Sequence, residues 1–257
     1  MSDAVSVVGH SRAPRPFAAR DRWDRNVFLS VVLLIWLGVI VGFGLDLIDR
    51  LHDPATIPYP IAVHVHAAVF ITWLALLSTQ VLLIRASRPD IHRRIGPWGM
   101  ALGATMPAIG LYAEWMSLRS YHGTPRFDPA FASVPLFAMI VFAALIAGAY
   151  ILRRDAASHK RLVLLATIYL SEAGFARVWF FTVGPSFGDG VWQFYVQENL
   201  AADLLIVGLG VYDLVTRGRL NKAFVIGAVS IALTQYVAGV LNFSPLWKDL
   251  VTRALGY

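Results

Sequence analysis

Four carboxyl side chains, one guanidinium and a pair of imidazoles sit inside otherwise apolar stretches of this sequence. The carboxyls are Glu114, Glu172, Glu198 and Asp203, the cation is Arg177, and the imidazoles are His64 and His66, with Gln235 as a further polar group. Ionisable side chains in hydrocarbon are costly, so each marks a pairing, a ligand or a pathway. Fully ionised, the carboxylates would oppose Arg177 alone, at several kcal/mol per unpaired ion. The carboxyls can hold protons, the histidines can be protonated, or a divalent metal ion can sit between imidazole nitrogen and carboxylate oxygen.

The metal arrangement uses most of these groups. His64, His66, Glu198 and Asp203 are then candidate metal ligands. Glu172, Arg177 and Asp203 are candidate catalytic groups, with Arg177 orienting a carboxylate or neutralising an anionic substrate. Residues two apart on a regular helix point about 200° apart, so His64 and His66 chelate one ion only if that first turn is distorted. The nearby Pro58 and Pro60 permit such distortion. A water-filled vestibule with a structural Arg177–carboxylate pair is the plainer reading of the same residues. A second imidazole pair, His92 and His159, precedes two other apolar stretches, each followed by two cations. It reads either as headgroup contacts or as axial ligands of haem b near the inner face.

The elements that must position these groups are helices. The composition is 57% hydrophobic, against about 45–50% for soluble domains. Seven apolar stretches fall at about 27–48, 61–85, 95–117, 131–152, 161–183, 194–216 and 223–243, each near the roughly 20 residues a spanning helix needs. They are continuous rather than alternating, which favours helices over a barrel. The expected fold is therefore all-α: an integral membrane bundle of seven transmembrane helices. Residues 1–26 form a basic cytoplasmic tail, 27–243 the transmembrane domain, and 244–257 a short amphipathic helix on the outer interface. The first stretch is too long for a cleaved signal and reads as an anchor.

The net charge of +6 follows from topology. Cations cluster before the first span (Arg12, Arg15, Arg20, Arg22, Arg25) and between spans two and three (Arg85, Arg88, Arg93, Arg94). They recur between four and five (Arg153, Arg154, Lys160, Arg161) and between six and seven (Arg217, Arg219, Lys222). The other side carries Arg50, Arg119, Arg126, Lys248 and Arg253. The positive-inside rule then places the N-terminus in and the C-terminus out of the bacterial inner membrane. It also removes the need for a nucleic-acid partner; the partners expected are the lipid bilayer and a membrane-soluble small-molecule substrate. With this topology the buried polar groups lie in the outer half, and the inner half is nearly bare apart from Gln80 and Asp213. Cysteine is absent, which excludes disulfides, thiolate metal sites and cysteine nucleophiles. No P-loop, dinucleotide fingerprint, nucleophile elbow or H-E-x-x-H occurs. The turns Arg85–Arg94 and Arg153–Arg161 share a form, so hairpins two–three and four–five read as a weak repeat.

The stretches His64-Val65-His66 through Gln80, Asp90-Ile91-His92-Arg93-Arg94-Ile95-Gly96, Ser158-His159-Lys160-Arg161-Leu162 through Arg177, and Ala202-Asp203-Leu204 through Tyr212-Asp213-Leu214 resemble a family of small uncharacterised bacterial polytopic inner-membrane proteins. The likeness covers roughly residues 60–220 and extends, more distantly, to transmembrane b-type cytochromes. That distant resemblance implies haem held by His64 or His66, His92 and His159. Three functions thus stand side by side. The first is a metal-dependent membrane enzyme, the second a haem-b electron carrier. The third is a proton-coupled transporter in which Glu172, Arg177 and Asp203 exchange partners.

Overall fold

The computed structural model describes residues 17–53, 57–188 and 190–257. Its helices are α1 (Asp24–His52), α2 (Ile61–Arg85), α3 (Pro89–Tyr121), α4 (Ser133–Ile151), α5 (Ala156–Leu170), α6 (Glu172–Phe181), α7 (Val191–Arg217), α8 (Lys222–Asn242) and α9 (Pro245–Ala254). Local chemistry sets several boundaries. Asp155 caps α5 by accepting from the N–H groups of Ala157 and Ser158 at 3.0 and 3.4 Å. Asn221 caps α8 through Phe224 N–H at 3.1 Å, and Ser244 caps α9. Pro89 and Pro245 stand in first turns, where a missing N–H costs nothing. Gly218 ends α7 in the left-handed region, φ 67°, which favours glycine.

Six segments among the described residues are long and apolar enough to cross a membrane: Asp24–His52, Ile61–Arg85, Pro129–Ile151, Ala156–Phe181, Val191–Arg217 and Lys222–Asn242. The molecule is an all-α bundle of long apolar helices, consistent with a polytopic membrane protein in contact with the bilayer. Many large side chains, such as Leu33, Leu37, Ile40, Leu204, Val207 and Leu233, are exposed on its sides. The remaining long helix, α3, spans 33 residues and packs on both α2 and α4. It carries Pro97 and Pro107 inside, each removing a donor from the helical ladder.

Contacts between helix ends show alternation. The starts of α1, α3, α5 and α8 and the ends of α2, α4 and α7 share one end of the bundle, here the amino end. The opposite, far end holds α9, which packs through Val251 and Leu255 on Leu118. The fifth rod is interrupted. α5 stops at Ser171, whose hydroxyl donates to the Ile168 carbonyl at 2.6 Å, and α6 begins at the next residue, Glu172. Leu162 to Tyr169 are buried without a break, so α5 runs through the core and has no lipid-facing stripe. α6 lies against α1 and α7. Its approach to α1 is backbone on backbone: a Cβ on Gly42 would stand 1.9 Å from the Gly174 carbonyl oxygen. Small residues let helices approach this closely.

Candidate functional site

Glu172, Asp203 and Gln235 come together from α6, α7 and α8. The Gln235 carboxamide nitrogen donates to Glu172 Oε1 at 2.9 Å and to Asp203 Oδ1 at 3.0 Å. One NH₂ group thus serves two carboxyls, one hydrogen each. The Tyr195 hydroxyl donates to the other oxygen of Asp203. Exposure rises along this chain. Glu172 and Gln235 are buried, Asp203 is half-buried and Tyr195 is exposed. On the amino-end side of Glu172, the Tyr169 hydroxyl meets Thr234. Beyond it, towards the amino end, lie the buried apolar residues Leu162 to Leu165 and Ile168. The polar chain therefore leads from a buried carboxyl to the surface of α7 near its first turns, and not through the core.

Arg177 does not join this chain. Its Nε faces Asp46 of α1 at 3.8 Å, and its guanidinium lies 4.2 Å from the Phe43 ring centre. Asp46 also accepts from Arg50 at 3.2 Å and from the Tyr59 hydroxyl at 3.1 Å. Arg50 in turn donates to the Tyr121 hydroxyl at 2.9 Å. The cation of α6 thus faces a far-end cluster on α1 rather than the deep carboxyls. The i, i+4 spacing of Asp46 and Arg50 near the end of the first span was the available signal. Glu198 is buried and accepts from its neighbour Gln197 at 2.9 Å. Glu114 is half-buried on α3.

The histidines overturn the cofactor readings. Among the described residues no group of three or more His, Cys, Asp or Glu is arranged to hold a metal ion. His64 is exposed, its Nδ1 3.2 Å from the Pro60 carbonyl oxygen. His66 points inward, packs on Phe70 at 4.0 Å between ring centres, and has its Nδ1 near Gly110. α2 is regular from Ile61 onward, so the two rings diverge and no shared ion is held. Glu198 and Asp203 are drawn to Gln197, Gln235 and Tyr195 instead. The divalent metal ion, and with it the metal-dependent membrane enzyme, is withdrawn.

Haem b is withdrawn on the same finding. His92 and His159 do meet at the amino end, with ring centres 6.5 Å apart and planes at 88°. His159 Nδ1 is 2.8 Å from the Ala149 carbonyl oxygen and ties α5 to α4. Burial and the neighbouring His159 lower the pKa of His92. The oxidoreductase reading falls with the haem.

The amino end holds a second polar network, built around cations that the charge pattern already groups on that side. Arg161 and Asp213 are fully buried and paired through two hydrogen bonds of 2.6 and 2.5 Å. Arg217 reaches Asp213 at 3.3 Å and Asp24 at 2.7 Å, and Lys160 reaches Asp24 at 2.7 Å. The Tyr212 hydroxyl donates to Asp24 at 2.7 Å. Residues 1–16 of the basic tail lie outside the described residues. Phe17 lies 4.6 Å from the Arg161 guanidinium and 5.4 Å from that of Arg217, measured to the ring centre. A search of protein families, of curated proteins and of solved structures finds no match to this chain.

Proposed function

We propose that this chain is a proton-binding membrane protein whose working site is the Glu172–Gln235–Asp203 triad. The single observation that carries the reading is the shared carboxamide: Gln235 Nε2 donates to both carboxyls. Two carboxylates held this close in a low-dielectric interior repel each other, so the pair retains a proton. Among the described residues neither carboxyl has an ion-pair partner, and Arg177, on the same helix as Glu172, faces Asp46 at 3.8 Å. Glu198 adds a further buried carboxyl on α7. Gln235 fixes the geometry by giving a hydrogen to each, and Tyr195 extends the chain to the surface. Protonation removes repulsion between α6 and α7, while ionisation restores it. Proton uptake and release are thereby linked to how α6, α7 and α8 pack.

The proposal places seven spans in a bacterial cytoplasmic membrane, N-terminus inside and C-terminus outside. α3 is the seventh span and α5–α6 a single interrupted one. The length of α3, about 50 Å at 1.5 Å per residue, supports its crossing, and the cation distribution supports the orientation. The resemblance to small bacterial polytopic inner-membrane proteins supports the location. The far end is then the outer face, and the triad exchanges protons with that side through Asp203 and Tyr195.

The test is infrared difference spectroscopy of the purified protein across a pH titration. The protonated carboxyl C=O band should appear in the wild type and be lost in Glu172→Gln or Asp203→Asn. A titration identical in wild type and both variants would remove the reading.

A further inference from the structure

The segment ahead of α1 makes more specific contacts than a topology signal needs. Ala18 C=O accepts from Arg217 Nε at 3.0 Å, and Ala19 C=O accepts from Lys160 Nζ at 2.9 Å. The half-buried Phe17 ring covers the guanidiniums of both Arg161 and Arg217. Asp24 closes the segment by accepting from Lys160, Arg217 and Tyr212. Every one of these partners is on α5 or α7. The segment therefore crosses the seam between those helices and fastens to both sides of it. These are also the helices that lead to the triad: α5 runs into Glu172, and α7 carries Asp203.

We infer that Phe17–Trp23, anchored at Asp24 on the first turn of α1, is a strap that closes the amino end of the α5–α7 seam, and that its release admits water there. Cation–π contacts and hydrogen bonds to charged groups each add to its hold. Such a strap holds firmly, yet it can open without unfolding the bundle, because it contributes no helix to the core. Under the proton-binding reading, opening it gives the triad a second side of access. The closure itself does not depend on that reading.

The chain contains no cysteine, so a single introduced thiol reports cleanly. Ala157 is buried on α5, and its carbonyl accepts from the Arg161 guanidinium that Phe17 covers. Full-length Ala157→Cys in detergent is labelled with a charged maleimide, alone and combined with Phe17→Ala or Phe17→Tyr. The expected result is labelling about tenfold faster with Phe17→Ala, the factor that 1.4 kcal/mol of lost closure gives. Phe17→Tyr, which keeps a ring over the guanidiniums, should stay at the slow rate. Ala238→Cys, buried at the far end, should be unaffected by Phe17→Ala. An unchanged rate at Ala157→Cys overturns the strap. An equal rise with Phe17→Tyr, or at Ala238→Cys, also overturns it, since either reports loosening without a ring-specific closure.

Discussion

The bundle buries charge at two places and treats it in opposite ways. At the amino end, Lys160, Arg161 and Arg217 face Asp24 and Asp213, with Asp21 at the rim, and Arg161 and Asp213 are fully buried within that balance. In the far half, Glu172 and Asp203 share a neutral carboxamide while the nearby cation turns to α1. A compensated network behaves as structure: removing any member leaves a buried charge unpaired. A pair of carboxyls held by one neutral donor is compensated only when a proton is present. Burial of charge alone therefore does not separate the two regions; the lack of a counter-charge does, and the proposed function rests on that difference.

The sharpest way to break that contrast is at Asp213. Asp213→Ala should cost about 3–5 kcal/mol, because it strands a fully buried Arg161. The loss is read as a fall in thermal stability in detergent. Arg161→Met together with Asp213→Leu should recover most of it, since an apolar pair of similar volume needs no counter-charge. Failure of the double variant to recover would mean that the network also does something other than hold the fold.

Next in size is the contact that sets α6, and so Glu172, against α1. Gly42→Ala drives a Cβ into the Gly174 carbonyl oxygen, backbone that has no rotamer to yield. Overpacking of this kind costs about 1–3 kcal/mol. Gly208→Ala is the control, since a Cβ there meets nothing within 4 Å, and it should gain up to about 1 kcal/mol of helix propensity. Equal melting of the two variants would detach the α1–α6 contact from stability.

These positions also separate what the sequence made legible from what it hid. Apolar length located the helices well: the second span was placed at 61–85, where α2 lies, and the sixth at 194–216, against Val191–Arg217. Hydropathy has no term for a broken backbone, so the stop at Ser171 inside the stretch 161–183 went unseen. Depth counting found Glu172, Asp203 and Gln235 in one layer, because rise per residue is nearly constant. It could not find partners, because which faces meet depends on packing. Arg177 was matched to the deep carboxyls and instead faces Asp46. Asp213 was placed with Gln80 in a nearly bare inner half, yet Arg161 of α5 is buried against it. The metal reading failed for the same reason: residue types were right for ligands, but a regular α2 turns His64 and His66 apart.

At the triad, Glu172→Gln should leave stability unharmed and raise it by about 1 kcal/mol. A neutral isostere relieves a buried carboxyl, as is common where function is held against stability. The protonated-carboxyl band should disappear in the same variant. A stability loss as large as that of Asp213→Ala would erase the contrast between the two regions and return Glu172 to a structural role.

The smallest effect is expected at the amino end, where Asp155 caps α5 and its Ser158 hydroxyl partner is linked to the Asn221 cap of α8. Asp155→Ala should cost about 0.5–1 kcal/mol, the usual value of an N-cap. The Ser158 hydroxyl, followed by the amide N–H groups of residues 158 and 157, holds the Asp155 carboxyl below its ordinary value of 3.8. A carboxyl with a depressed folded pKa contributes stability that is fully present above its unfolded value. That contribution fades as the pH falls through the folded one. Wild type and Asp155→Ala should thus differ at neutral pH and converge on acidification below that range. Under the proposed function a bound proton removes the repulsion between Glu172 and Asp203. Acidification that removes the cap should therefore leave the packing of α6 against α7 intact, whereas convergence of the two variants on raising the pH would contradict the assignment of Asp155 as an ionised cap.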